Sequence, residues 1–160
     1  MTAAMEARPL GPRDAAACDA IVASLPYHFG LETGRAACAA AVRSADGLAA
    51  VAGDEVVVGF LTWRPWYAAS REITWMAVHA ERRGAGIGRA LLEHLIAESA
   101  GLARYLVVTT LSEATPEPGV ADGYAGTRRF YERNGFEPVW EPAGWWDDAN
   151  QAVVMVRRLA

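Results

Sequence analysis

From Ile87 to about Ala100 the apolar residues fall on one helical face. Ile87, Leu91 and Leu95 are four apart, with Leu92 and Ile96 beside them, which is the period of an amphipathic helix. Ahead of it the pattern is shorter and more continuous. Leu48 to Ala52 and Val56 to Trp63 flank Gly53-Asp54 and read as a hairpin, and Ile73 to Val78 reads as a buried strand. Met5 to Leu10 predicts a first strand, and Asp14 an N-cap for a helix running to Ser24. A turn-rich stretch, Leu25 to Gly30, precedes a second helix over Glu32 to Ser44. Tyr105 to Thr110 predicts another strand, followed by a loop over Ser112 to Asp122. Tyr124 to Asn134 then predicts a helix stopped by Gly135, and Phe136 to Trp140 and Ala152 to Arg158 two closing strands. Helices and strands mixed in this order predict an α/β (mixed α+β) three-layer architecture. No repeat or linker divides the chain, so residues 1–160 read as a single domain.

Composition narrows the class. The chain is 52% hydrophobic and 21% charged, ordinary for a globular enzyme, and much of the apolar content is alanine. No run approaches the ~20 apolar residues of a membrane span. Met1 to Pro9 carries Glu6 and Arg8 and lacks the apolar core of a signal peptide. Cys18 and Cys38 are the only cysteines and have no metal-site spacing, so both read as reduced core residues and no metal is expected. These features predict a cytoplasmic protein with no membrane partner. The net charge of −4 argues against nucleic-acid binding and suits a cationic amine. All the basic side chains are arginine.

The candidate chemistry centres on Arg83-Gly84-Ala85-Gly86-Ile87-Gly88, between a buried strand and the amphipathic helix. Glycines there let the backbone turn tightly and approach a ligand. The free N–H groups of the helix's first turn can hold a pyrophosphate, and Arg82, Arg83 and Arg89 add charge. A glycine-rich connection with no ligand would show the same pattern. The spacing does not fit the GxGxxG dinucleotide fingerprint or a P-loop.

What flanks the turn is more specific. Arg83-x-x-Gly86-x-Gly88, the preceding strand Glu72-Ile-Thr-Trp-Met-Ala-Val78, and the later Thr127-Arg-Arg-Phe130-Tyr131-Glu-Arg-Asn-Gly135-Phe136 together resemble the GNAT N-acetyltransferase superfamily, and a bacterial subgroup of it. The resemblance covers roughly residues 5 to 158. It implies a GNAT-like acyl-CoA N-acyltransferase fold, with a mixed, mostly antiparallel sheet splayed at the cofactor strands and acetyl-CoA as co-substrate. By that resemblance the cofactor contacts are Met76, Ala77 and Val78 on the strand and Arg83, Gly84, Ala85, Gly86, Ile87, Gly88 and Arg89 at the turn. The Met76 amide would serve as oxyanion donor. Tyr131 matches the family's general acid: a phenol near pKa 10 can protonate a thiolate whose thiol is near 8.5. Glu72 stands where one branch of the family carries its catalytic glutamate. Many members have asparagine seven residues before the catalytic tyrosine; Tyr124 stands there instead.

For the acceptor, the aromatic residues His28, Phe29, Trp63 and Trp146 form the candidate pocket, suited to an amine with an apolar portion. Tryptophans near the last hairpin would equally suit a homodimer interface. The leading reading is therefore an enzyme in which a small-molecule amine attacks acetyl-CoA directly, without a covalent intermediate. Acetylation of a protein N-terminus or side chain is the alternative among enzymes. A non-catalytic acyl-CoA sensor or partner-binding module on the same fold is the alternative outside them.

Overall fold

The structure, a computed structural model, describes residues 5–53, 55–113, 124–148 and 150–160. These described residues are mixed α/β, with seven strands in mostly antiparallel pairing and four helices among them. The chain forms two compact units: the described parts of Met1–Arg64 with Ile73–Ser99, and Pro65–Glu72 with Ala100–Ala160.

The first unit holds β1 (Glu6–Pro9), α1 (Ala15–Ala23), α2 (Glu32–Ser44), β2 (Asp46–Ala52), most of β3 (Val56–Tyr67) and β4 (Ser70–Val78), and α3 (Ile87–Ser99). β1 pairs antiparallel with β2, and β2 with β3, with an irregularity at Ala50/Val51. Phe60, Trp75 and Ala77 pack with Cys18, Ile21, Val22, Phe29, Cys38 and Val42 from the α1–α2 region. Gly59, the residue before Phe60, points the other way. A Cβ there would lie 3.0 Å from Ile87 Cγ2 and 3.2 Å from the Ala77 carbonyl oxygen. Any side chain there would be tight against the start of α3 and against β4. On α3 itself Leu91, Leu92 and Leu95 are fully buried, each contributing about 1.5–3 kcal/mol through burial.

Asp14 occupies the N-cap position of α1, but its carboxylate does not cap that helix. It reaches backwards, accepting from the Gly11 amide at 2.9 Å and from both Nη atoms of Arg8 at 2.8 Å. The Arg8 bond chiefly holds the Asp14 carboxyl below its ordinary range. A carboxyl depressed by folding stabilises the native state above its unfolded pKa of about 3.9, and loses that contribution as pH falls through the folded value. Asp14→Asn is accordingly expected to cost about 2 kcal/mol at pH 7. Its deficit against wild type should shrink below about pH 4. Urea unfolding of both proteins at pH 7 and pH 3 checks this; a gap unchanged at pH 3 would contradict it.

β3 continues past Trp63 through Arg64, Pro65, Trp66 and Tyr67. Proline lacks the N–H of a central strand and reads as a stop, yet this arm stays extended with its residues exposed. Trp66 and Tyr67 therefore lie within the strand rather than after it. β4 likewise starts at Ser70, placing Glu72 inside the strand.

The second unit holds β5 (Tyr105–Leu111), α4 (Ala125–Arg133), β6 (Glu137–Trp140) and β7 (Ala152–Arg158), with β7 between β5 and β6 and antiparallel to both. Its core is built from Leu106, Val107, Val108, Tyr131, Phe136, Val153, Val154 and Met155. Gly135, with φ +82°, follows the end of α4. The predicted loop over Ser112 to Asp122 lies mostly outside the described residues, as does Asp54 of the β2–β3 turn. No helix of the described residues is long and apolar enough to cross a membrane.

Candidate active site

In the first unit, β4 leads through a short 3-10 turn, Ala80–Arg82, to the glycine-rich segment. His79 caps that turn, its Nδ1 accepting from the Glu81 amide at 3.3 Å; this gives it a local structural task. Gly84 and Gly86 both have φ +80°, and a Cβ at either would meet nothing within 4 Å. Glycine is required there by backbone conformation rather than by crowding. The first intrahelical bond of α3 runs from the Ala90 amide to the Gly86 carbonyl at 3.0 Å. The amides of Ile87, Gly88 and Arg89 precede it and have no partner within the helix. They sit at the positive end of a 13-residue helix, which favours an anion. Arg82 and Arg83 are exposed beside them. Arg89 turns along the helix, its Nε donating to Glu93 Oε1 at 2.8 Å on an exposed face.

Ile87 packs under the turn, and both its side chain and that of Val78 border the Cβ-free face of Gly59. The end of β4 and the start of α3, both predicted from sequence to hold the cofactor, are thus brought together. β4 is also irregular. His79 donates to the Val58 carbonyl and Thr74 Oγ1 lies 2.7 Å from Thr62 Oγ1, so β3 and β4 run antiparallel. Alternation along β3 puts Thr62 on the same side as Phe60, and Thr74 with it. Yet Trp75 and Ala77 also pack into that helical cluster. The alternation therefore slips by one residue between Thr74 and Trp75, just before Met76 and Val78. A slip of this kind re-aims backbone groups, as β-bulges beside active sites do.

Of the predicted acceptor residues in this unit, Phe29 is a core residue, 8% exposed, its ring centroid 5.9 Å from that of Trp75. His28 is half-buried with its ring edge-to-face against Tyr27, and Trp63 is half-buried on β3. Burial pushes both the Cys18 and Cys38 thiols up to about 12, which keeps them in the unreactive thiol form.

In the second unit, Tyr131 is 4% exposed and held by its ring. Phe130 and Phe136 meet it edge-to-face at centroid distances of 5.2 Å. No hydrogen bond of its phenol is seen among the described residues. Burial raises its pKa above the ordinary value, so the group is neutral and able to donate throughout the physiological range. Glu72 is half-buried on β4. Trp146 is exposed beside Trp145, which packs edge-to-face on Trp140 at 5.3 Å. Two residues that sequence reasoning did not single out are Arg128 and Arg157. Arg128 is buried on α4 and donates to the Leu111 carbonyl, and Arg157 on β7 donates to the Asn134 carbonyl. No signal marks a buried arginine in advance, since the residue type is usually exposed. Among the described residues no group of His, Cys, Asp or Glu is arranged to hold a metal ion.

A strand, a positive-φ glycine turn and an anion-favouring helix start are thus brought together in one α/β unit. The family model of the acetyltransferase (GNAT) domain matches residues 43–138, and the chain belongs to the GNAT acetyltransferase family. Among solved structures, it resembles a GNAT-family protein from Desulfovibrio desulfuricans at 24% identity and TM-score 0.81, covering 98% of this chain and 100% of the other. It resembles Ard1 from Thermoplasma volcanium at 17% identity and TM-score 0.76, covering 98% and 99%. It also resembles the ribosomal-protein-S18-alanine N-acetyltransferase from Escherichia coli, at 18% identity and TM-score 0.72, covering 98% and 95%. An aminoglycoside 6′-N-acetyltransferase complexed with coenzyme A matches at 19% identity and TM-score 0.66, covering 89% and 90%. At these identities the likenesses carry the fold. No curated protein matches the sequence.

Proposed function

We propose that this chain, acting as a single domain, is an acetyl-CoA-dependent N-acetyltransferase whose acceptor is a small-molecule primary amine. The observation that carries the reading is the start of α3. There two positive-φ glycines present the amides of Ile87, Gly88 and Arg89, which have no partner within the helix, beside Arg83, a donor set suited to a pyrophosphate. The same-fold aminoglycoside acetyltransferase was solved with coenzyme A, which supports the choice of ligand. The amides of Met76 and Val78, beyond the slip in β4, bind the pantetheine arm, and that of Met76 stabilises the developing oxyanion. Acetyl-CoA supplies the activated acyl group. Glu72 takes a proton from the substrate ammonium, directly or through water, so that the free amine can attack. Tyr131 then delivers a proton to the departing sulfur, and the proton shed by the nitrogen as the amide forms restores the phenol through solvent. The exposed Trp140, Trp145 and Trp146, interleaved with Glu141, Asp147 and Asp148, favour a cationic acceptor with an apolar portion.

Thermal unfolding with added acetyl-CoA tests the ligand. Stabilisation that grows with concentration is expected, about 2.7 kcal/mol at a hundred times the dissociation constant. No shift with acetyl-CoA, CoA or any longer acyl-CoA would overturn the reading.

A further inference from the structure

We infer that Arg128 and Arg157 are positioning residues for Tyr131, clamping α4 at its two ends so that the phenol is held in one place. The inference rests on the reading of Tyr131 as the acid.

α4 has only nine residues and no side-chain N-cap bond, too short to be stable alone. Its fully buried residues are Arg128 and Tyr131, so it lacks the broad apolar stripe that normally fixes a helix. What fixes it is polar. Arg128 Nη1 donates to the carbonyl of Leu111, the last residue of β5, at 2.7 Å. Arg157 Nη1 donates to the carbonyl of Asn134, the C-cap, at 2.6 Å. The Phe136 amide donates to the Tyr131 carbonyl itself at 3.0 Å. Burying a guanidinium is unfavourable unless it is hydrogen-bonded, and a charged donor makes a bond roughly twice as strong as a neutral one. Arg128 and Tyr131 are three apart and share a helix face. The bond to β5 therefore anchors the turn immediately before the phenol, and the bond from β7 anchors the turn after it. Only ring packing orients the Tyr131 side chain among the described residues, so a displaced helix carries the hydroxyl with it. A misplacement of about 1 Å can cost on the order of 100-fold in rate.

The test is a double-mutant cycle with acetyl-CoA and the most reactive amine from a panel of spermidine, phenethylamine and an aminoglycoside. Arg128→Met is expected to lower kcat about tenfold or more, with acetyl-CoA affinity unchanged. Arg128→Lys, which keeps a donor, should recover part of the loss. In a Tyr131→Phe background Arg128→Met should add less than about twofold, because residues acting as a unit are non-additive. Arg157→Met in the same cycle covers the case in which Arg128→Met fails to fold. An equal loss from Arg128→Met with and without the Tyr131 hydroxyl would overturn the inference while leaving Tyr131 as the acid. Full turnover in Tyr131→Phe would overturn the acid assignment, and the inference with it. A second readout needs no turnover: carbon-13 shifts of the Tyr131 ring should change in Arg128→Met and hold in Arg128→Lys. Unchanged ring shifts in Arg128→Met would equally overturn the clamp.

Discussion

Tyr131→Phe is expected to lower kcat about 10²–10⁴-fold, the usual range for a general acid, while acetyl-CoA affinity stays nearly the same. The physical basis is that the ring and the hydroxyl have separate tasks. The ring is buried between Phe130 and Phe136, and phenylalanine keeps that packing. The hydroxyl makes no bond among the described residues, so its loss leaves no partner stranded in the core. A fall in kcat without a fall in binding marks an interaction made in the transition state. Because burial raises the Tyr131 pKa, the phenol stays protonated past its ordinary titration. The wild-type rate should accordingly show no alkaline loss from this group up to about pH 10. Glu72→Gln is expected to act differently, slowing the reaction chiefly at lower pH, where more of the amine carries the proton a base must remove. Steady-state kinetics across pH, with cofactor affinity measured separately, distinguish the two roles. Near wild-type turnover in Tyr131→Phe would remove it from the mechanism.

Gly86→Asp is expected to abolish stabilisation by acetyl-CoA. Two effects act together at this position. Its φ of +80° disfavours any L side chain by about 1–2 kcal/mol, so the turn relaxes away from its present shape. The new carboxylate would also occupy the positive end of α3, where the ligand's phosphates are expected. Gly86→Ala separates the two, since it adds the strain without the charge and should weaken binding only in part. In wild type, ligand at a hundred times its dissociation constant should raise the melting temperature by about 5–10 °C for a chain of this size. Thermal scans of the three proteins with and without acetyl-CoA provide the check. A full shift in Gly86→Asp would mean that the ligand binds elsewhere.

Elements whose pattern is local and periodic were legible from sequence. α2 spans Glu32–Ser44 and β7 Ala152–Arg158, the limits their spacing predicts, and α4 lies between Tyr124 and Gly135 as expected. The turn at Gly84 and Gly86 was legible because glycine declares a backbone need directly. Features that depend on tertiary partners were not. Asp14 sits at a helix start, where a cap is the default, but Arg8 and the Gly11 amide claim its carboxylate. The strand reads from its pattern as ending at Trp63, yet β3 carries its extended arm to Tyr67. Phe29 reads as an aromatic in a turn-rich stretch, whereas its ring joins the core against Trp75. The slip between Thr74 and Trp75 leaves no trace in residue type, because it arises from which side each residue finds its neighbours. Arg128 illustrates the same limit: its burial goes with tertiary partners such as the Leu111 carbonyl at the end of β5.

The most direct test of the account is release of CoA thiol from acetyl-CoA by the wild-type protein across a panel of polyamines, aminoglycosides, amino acids and aryl-alkyl amines. Thiol release that requires a specific amine, with one acetylated amine formed per thiol, is the predicted result. Tight acetyl-CoA binding with no amine in the panel ever releasing CoA would contradict it, and would identify the protein as a non-catalytic acyl-CoA sensor.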